Sequence, residues 1–189
     1  MIELNKSLKS LKIDKNWSLF LDRDGVINKR IVDDYVKQWD EFHFLPGVVE
    51  AIAIFSSYFR RVFIVTNQQG VGKGLMSVEQ LASIHKKMIR EIEEAGGKID
   101  NVYFCSALRS ENSPYRKPAP GMAHQAKADF DDISLKKSIM IGDSSSDIAF
   151  GKNSGMITVL SDPQSFVTQQ HESNPDFIVG DLLSFATKL

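Results

Sequence analysis

Short apolar runs alternate along this chain with longer stretches whose apolar positions recur at helical spacing. Trp17–Leu21, Arg61–Val65, Asn101–Cys105, Ser138–Ile141, Met156–Leu160 and Asp176–Val179 read as strands, each bounded by turn or polar residues. Pro46 opens a helix expected from Gly47 to Tyr58, apolar almost all round, as a helix buried in the core is. Ser77-Val78-Glu79-Gln80 fits a capping box, and the helix it opens carries Leu81, Ile84, Met88 and Ile92 on one face before ending near Gly96-Gly97. The last strand and a helix up to Leu189 close the sheet. Strands alternating with helices predict an α/β fold with a mainly parallel sheet covered on both faces. Residues 1–16 are set apart as an N-terminal extension and 17–189 as one domain.

The polar residues that matter stand where the strands stop. The first apolar run ends at Asp22 and Asp24, one residue apart, with Gly25 letting the chain turn away. Carboxylates so close repel unless a cation lies between them or one holds a proton. The second strand leads into Thr66-Asn67-Gln68-Gln69-Gly70-Val71-Gly72-Lys73-Gly74, where glycines permit close backbone approach and Lys73 adds charge. It is not a Walker A loop, because Gly74 stands at the Ser/Thr position, and Leu75 replaces the third glycine of a dinucleotide fingerprint. Arg116 and Lys117 precede Pro118, offering a planar fork and a point charge. The fourth strand ends at Asp143, with Asp147 as a helix N-cap or a partner for a metal ligand or Lys117. Each cluster also has an ordinary reading: a solvated loop, a flexible turn, an Arg–Lys pair on the surface. Ligands of parallel sheets bind beyond the carboxyl ends of the strands, so four such clusters at four strand ends converge on one crevice.

Composition narrows the partners. With 23 basic and 24 acidic residues the formal charge is −1, and no aromatic-basic stripe is present, so nucleic acid is not an expected partner. The sequence shows no signal peptide and no run long enough to span a membrane, and Cys105 is its single cysteine; a cytoplasmic location and no membrane partner are expected. The four histidines are scattered, and His85 and His124 are expected to be ordinary surface or boundary residues of helices.

Taken in order, D-x-D, T-N, R-K-P and G-D-x-x-x-D resemble the four motifs of the haloacid-dehalogenase-type (HAD) phosphotransferases, over roughly Phe20 to Leu160. L-D-R-D-G-V-I-N at 21–28, T-N-Q-Q-G-V-G-K-G at 66–74 and Y-R-K-P-x-P-G-M ending at Met122 are similar to one branch. That branch holds the D-glycero-D-manno-heptose 1,7-bisphosphate 7-phosphatases and the histidinol-phosphate phosphatases. The resemblance implies a Rossmann-like three-layer α/β/α sandwich and a magnesium-dependent phosphomonoesterase. It implies Asp22 as nucleophile forming an aspartyl-phosphate, and Asp24 as the acid and base. Magnesium would be held by Asp22, the backbone carbonyl of Asp24 and Asp143, with Asp147 behind them. Thr66 and Lys117 would stabilise the phosphoryl group, with Asn67 and Arg116 nearby to position the substrate; read from the residues alone, Arg30 and Lys73 are further candidates to contact it.

Two features depart from the branch. Many members carry a zinc loop before R-K-P, but here only Cys105 matches; Ala107, Ser113 and Tyr115 occupy the other positions, so no structural zinc is expected. Ser144 stands where the heptose branch often has lysine. The segments between motifs are too short for a separate cap domain, so residues 29–45 and 106–115 should shape an open site. Arg30, Asp33 and Asp34 are candidates to meet a hydroxyl-rich substrate or to be solvated surface. A small phosphorylated metabolite and a monomer are expected. The heptose bisphosphate is the favoured substrate and histidinol phosphate the alternative. A nucleic-acid 3′-phosphatase and a silent phosphate-binding module are readings of other classes.

Overall fold

Every strand in the described residues is parallel to its neighbours, and all six belong to one sheet. The computed structural model describes residues 11–163 and 172–189; the first ten residues of the expected N-terminal extension lie outside them. The elements are β1 (Ser18–Leu21), α1 (Val48–Tyr58), β2 (Arg61–Asn67), the one-turn α2 (Gln69–Gly72), α3 (Val78–Glu94), β3 (Asn101–Cys105), α4 (Gly121–Asp129), β4 (Ser138–Gly142), α5 (Ser145–Asn153), β5 (Ile157–Ser161), β6 (Phe177–Val179) and α6 (Leu182–Ala186). The sheet order is β3-β2-β1-β4-β5-β6, so the chain winds outward from β1 on one side, returns, and winds outward on the other. Loops leaving β1 and β4 therefore diverge at the switch point, where such sheets open a crevice.

Side-chain alternation builds a core on each face. Leu19, Leu21, Val62, Ile64, Ile139 and Ile141 pack toward α1, α3 and α6 through Ile52, Phe55, Ile84, Met88 and Phe185. Phe20, Phe63, Val65 and Met140 face the other way, onto Met122, Ala123 and Ala126 of α4 and Phe150 of α5. Leu11 and Ile13, from the expected extension, pack against the first core. The three layers are those expected, and no cap domain stands among the described residues: a flap with one 3₁₀ turn, Trp39–Glu41, separates β1 from α1. No helix among these residues is long and apolar enough to cross a membrane.

The registers align the strand ends. Leu21 stands opposite both Ile64 and Ile141, and the Asp22 N–H donates to the Ile141 carbonyl at 2.9 Å. Some boundaries differ from the pattern. β2 runs on through Thr66 and Asn67, because β3 continues to pair with it as far as Asn67 opposite Cys105. β6 begins one residue late, since the Asp176 carboxylate accepts the N–H and hydroxyl of Thr158 at 2.8 and 2.7 Å. The capping box of α3 forms as expected, with Gln80 N–H on Ser77 Oγ at 3.2 Å and Ser77 N–H on Gln80 Oε1 at 2.7 Å. At α5 the cap is Ser144, and Asp147 is the third helical residue that reaches back to it, rather than the cap itself.

Candidate active site

Lys117 sits at the centre of the crevice, almost fully buried, and its ammonium group has three protons for three acceptors. Nζ lies 2.7 Å from Asp22 Oδ1, 2.5 Å from Asp147 Oδ1 and 2.8 Å from the Val65 carbonyl. Burial alone would lower the Lys117 pKa, but the charges of Asp147 and Asp22 outweigh it and hold the ammonium charged. Its backbone is fixed as well: Asn67 Nδ2 donates to the Lys117 carbonyl at 3.1 Å, and the Lys117 N–H donates to Asn67 Oδ1 at 3.0 Å. The Lys117–Pro118 peptide is cis. On the α5 side, Asp147 Oδ2 accepts the Ser144 hydroxyl at 2.5 Å and N–H at 3.2 Å, which aims Oδ1 at the lysine.

Asp143 completes a group of three carboxylates: ligand oxygens of Asp22, Asp143 and Asp147 all lie within 4.8 Å of one another. Gly25 makes this possible. At φ +97° it turns the chain away from β1, and a Cβ there would fall 1.9 Å from Asp143 Oδ2. Burial, then the Asp147 charge, pushes Asp143 up to about 6 despite Arg30 and Lys117. Burial also raises Asp22, helped by Asp147 and Asp143 and opposed by Lys117. Three carboxylates thus share one buried ammonium, and from the exposed rim Arg30 reaches Asp143 Oδ2 at 3.7 Å. An oxygen-only set with surplus negative charge fits a hard divalent cation such as magnesium.

Asp24 is held apart from this group although it too lines the cavity. Arg23 Nη2 donates to both of its oxygens at 2.9 Å, Asn28 Nδ2 to Oδ1 at 2.9 Å and Gln68 Nε2 to Oδ2 at 2.7 Å. Burial raises its pKa, but the Arg23 charge and these donors win, leaving Asp24 below the usual carboxylate range. Gln68 Nε2 also donates to Thr66 Oγ1 at 2.8 Å, which leaves the threonine proton to donate elsewhere. Behind Asp24 lies an unforeseen pair: Arg23 is fully buried, and its Nη1 meets His85 Nε2 at 3.1 Å. The expectation that His85 is a surface or boundary residue is therefore wrong; it is buried, and burial with the Arg23 charge depresses it to about 3. His124 is exposed, as expected.

Above this floor opens a cavity of about 790 Å³. Its rim is set by the flap and by residues 106–116, with Arg30, Lys73, Arg109 and Arg116 among its lining cations. Arg116 Nη1 donates to the Ala107 carbonyl at 3.2 Å, and Leu108 N–H donates to Glu111 Oε2 at 2.5 Å. Gln69 accepts the Arg109 N–H at 2.9 Å and donates to Tyr35 Oη at 3.4 Å, joining this loop to the flap. Lys73 Nζ lies 5.3 Å from the centre of the Tyr35 ring. Gly72 packs so closely that a Cβ would come within 2.3 Å of the Ser106 carbonyl. The flap is pinned at its base by Trp39 stacked on Phe42 at 4.9 Å and by Phe44 set edge-on to Phe42 at 5.1 Å. Cys105 is buried at the end of β3.

All of the residues singled out in the sequence line this one cavity: Asp22, Asp24, Thr66, Lys117, Asp143 and Asp147 at its floor, Asn67, Arg116, Arg30 and Lys73 around it. Asn67 faces the cavity with both polar atoms of its carboxamide engaged by Lys117. Sequence reasoning gave no role to Arg23, Asn28, Gln68, Gln69, His85 or Arg109. His85 left a signal: it lies within the apolar stripe Leu81, Ile84, Met88, Ile92, where a surface histidine does not belong.

The chain is similar to known proteins in sequence and in fold. The HAD-hydrolase-like family model matches residues 114–185. The D-glycero-alpha-D-manno-heptose-1,7-bisphosphate 7-phosphatase of Mycobacterium tuberculosis is 40% identical over 137 residues, covering 72% of each chain. The D-glycero-beta-D-manno-heptose-1,7-bisphosphate 7-phosphatase of Neisseria meningitidis is 36% identical over 130 residues, covering 69% of this chain and 68% of its own. Among solved structures, the D,D-heptose 1,7-bisphosphate phosphatase of B. bronchiseptica, complexed with magnesium and phosphate, superposes with a TM-score of 0.81 at 30% identity, over 91% of this chain and 97% of that one. On fold, strand-end motifs and sequence identity, the chain belongs to the heptose-1,7-bisphosphate 7-phosphatase family of HAD-like hydrolases.

Proposed function

We propose that this protein is a magnesium-dependent phosphatase that removes the 7-phosphate of D-glycero-D-manno-heptose 1,7-bisphosphate by way of an aspartyl-phosphate on Asp22. The observation that carries the reading is the buried Lys117–Asp22 pair set among three carboxylates where the ends of β1 and β4 meet the start of α5. Lys117 fixes Asp22 through Oδ1 and keeps it oriented while offering positive charge to an incoming phosphoryl group. Asp22, Asp143 and the backbone carbonyl of Asp24 would hold the magnesium, which supplies charge neutralisation for the phosphoryl oxygens. Phosphoryl transfer needs positioning and charge stabilisation above all, and the floor is built for both.

In the first step an Asp22 oxygen forms a bond to phosphorus as the bond from phosphorus to the sugar oxygen breaks. The leaving oxygen takes its proton from Asp24. Asp24 rests as a carboxylate, and the negative charge of an approaching phosphate raises its pKa and loads it with that proton. In the second step water attacks the aspartyl-phosphate, Asp24 takes the water proton, and phosphate departs with Asp22 restored. Thr66, oriented by Gln68, donates to the transferring group. Arg116, Arg30, Lys73 and Arg109, spread around the cavity, suit a substrate that carries a second phosphate away from the reaction centre.

Phosphate release with magnesium, measured for both anomers of the heptose bisphosphate and for histidinol phosphate, tests this reading. A preference of at least about 10-fold in kcat/KM for a heptose anomer is expected, with Asp22→Asn reducing turnover by on the order of 10⁴-fold or more. Preference for histidinol phosphate overturns the substrate, and full activity of Asp22→Asn overturns the mechanism.

A further inference from the structure

We propose that His85 is a positioning residue for the proton-transferring Asp24, acting through the buried guanidinium of Arg23. The inference rests on the reading above, in which Asp24 protonates the leaving oxygen.

A guanidinium is a rigid plane with donors only. At 3.1 Å from Arg23 Nη1, His85 Nε2 must therefore be the acceptor, which places the imidazole proton on Nδ1 and leaves the ring neutral. The other terminal nitrogen, Nη2, donates to both oxygens of Asp24. Contacts on the two terminal nitrogens together set the direction of the plane, so the acceptor on Nη1 also aims Nη2. His85 is itself immobilised: it lies on α3 among the buried Leu81, Ile84 and Met88, and its ring meets Phe104 at 6.0 Å and 62°. The line of contact runs from α3 through His85 and Arg23 to Asp24. Burial and the Arg23 charge keep the ring neutral through the pH range of an assay, so the acceptor is always present. Asn28 and Gln68 each hold one Asp24 oxygen, and Arg23 holds both; it is the group that fixes the carboxylate as a whole.

Losing the acceptor at position 85 leaves Nη1 buried without a partner and frees the guanidinium to turn. Asp24 then loses its alignment with the leaving oxygen while the floor that binds phosphate stays intact. The experiment compares wild type, His85→Leu, His85→Gln and Asp24→Asn on the heptose bisphosphate and a series of aryl phosphates of decreasing leaving-group pKa. The quantity read is kcat/KM, which reports aspartyl-phosphate formation. His85→Leu should lose about 10- to 100-fold on the sugar phosphate and less than about 3-fold on 4-nitrophenyl phosphate, whose leaving group needs little protonation. The inhibition constant for inorganic phosphate should stay within about 2-fold. His85→Gln, which keeps an acceptor, should recover most of the loss, and Asp24→Asn should show a steeper version of the same leaving-group dependence. If His85→Leu fails to fold, His85→Asn, with an acceptor too short to reach Arg23, makes the same comparison against His85→Gln. A loss equal across all leaving groups, or no loss, overturns the role of His85. An Asp24→Asn loss equal across all leaving groups overturns the acid assignment on which it rests.

Discussion

The floor and the rim of this cavity are built on different principles. The floor hangs from the ends of β1, β2 and β4, whose register is fixed by an all-parallel sheet buried on both faces. There Lys117 meets Asp22 and Asp147 at 2.7 and 2.5 Å, and Asp24 takes donors from Arg23, Asn28 and Gln68 at 2.7–2.9 Å. The rim is carried by the flap and residues 106–116, where much of the surface is exposed and the ties are single hydrogen bonds between a side chain and the backbone, such as the Arg109 N–H donating to Gln69 Oε1. Buried charges without partners are very costly, so the floor tolerates little change; a loop tie contributes about 1 kcal/mol, so the rim can vary. The difference separates chemistry from selectivity: one set of strand ends can transfer phosphoryl groups while the loops above it choose the substrate.

Changes to the floor should have the largest effects. Lys117→Met removes two hydrogen bonds and the ion pair to Asp147 together, and leaves Asp22 and Asp147 facing each other. Breaking a buried pair in this way should cost about 3–5 kcal/mol in denaturant unfolding without magnesium. Turnover should fall by on the order of 10³-fold or more, the scale set by removing a charge that stabilises the transition state. Retained activity would mean that the lysine is only structural. A smaller but more local effect is expected of Gly25→Ala. The new methyl would press on Asp143 and force a residue with a Cβ to φ +97°, so magnesium affinity measured by calorimetry should drop at least about 10-fold. Unchanged affinity would remove Asp143 from the metal site.

The pH dependence of magnesium binding sharpens the same comparison. Asp143 titrates near 6 and Asp22 is also raised, so both hold protons more readily than ordinary carboxylates. Magnesium binds the ionised forms, and its binding must expel those protons. The sign follows: apparent affinity is fullest above the raised values and falls as pH drops toward and through 6, with proton release on binding near neutral pH. Calorimetry in buffers of different ionisation enthalpy measures that release. An affinity constant from pH 8 to 5 would place the metal away from these carboxylates.

The sequence displayed the charged groups of the site and concealed the contacts that hold them, for a physical reason. Asp22, Asp24 and Asp143 follow apolar runs and Lys117 stands just before the prolines that lead into a helix, and the parallel sheet gathers such ends without any further information. Even so, Asp147 showed only half its role: its oxygen for Lys117 could be expected, but not the Ser144 contacts that aim it. Arg23 and His85 lie 62 residues apart, and no local pattern marks a buried arginine between two carboxylates as seeking a histidine acceptor. Gln69 and Arg109 join over 40 residues by a backbone N–H, a donor every residue but proline possesses. Between β3 and Lys117 the loop is tied by the Arg116 guanidinium donating to the Ala107 carbonyl, and by the Glu111 and Gln69 side-chain oxygens accepting the Leu108 and Arg109 N–H groups.

The mildest change separates rim from floor most cleanly. Gln69→Ala cuts the bond to the Arg109 N–H and the longer one to Tyr35, releasing residues 106–116 from the flap while every contact of Lys117 and Asp24 persists. The loss of about 1 kcal/mol of loop ordering corresponds to a rise of roughly 5-fold in KM for the heptose bisphosphate. For 4-nitrophenyl phosphate, which has no second phosphate to reach the rim, KM and kcat should both stay within about 2-fold. Hydrogen exchange should quicken at the Arg109 amide and remain unchanged at Asp22. A fall in kcat shared by both substrates would show that the rim reaches into the chemistry, and the division between the two regions would have to be abandoned.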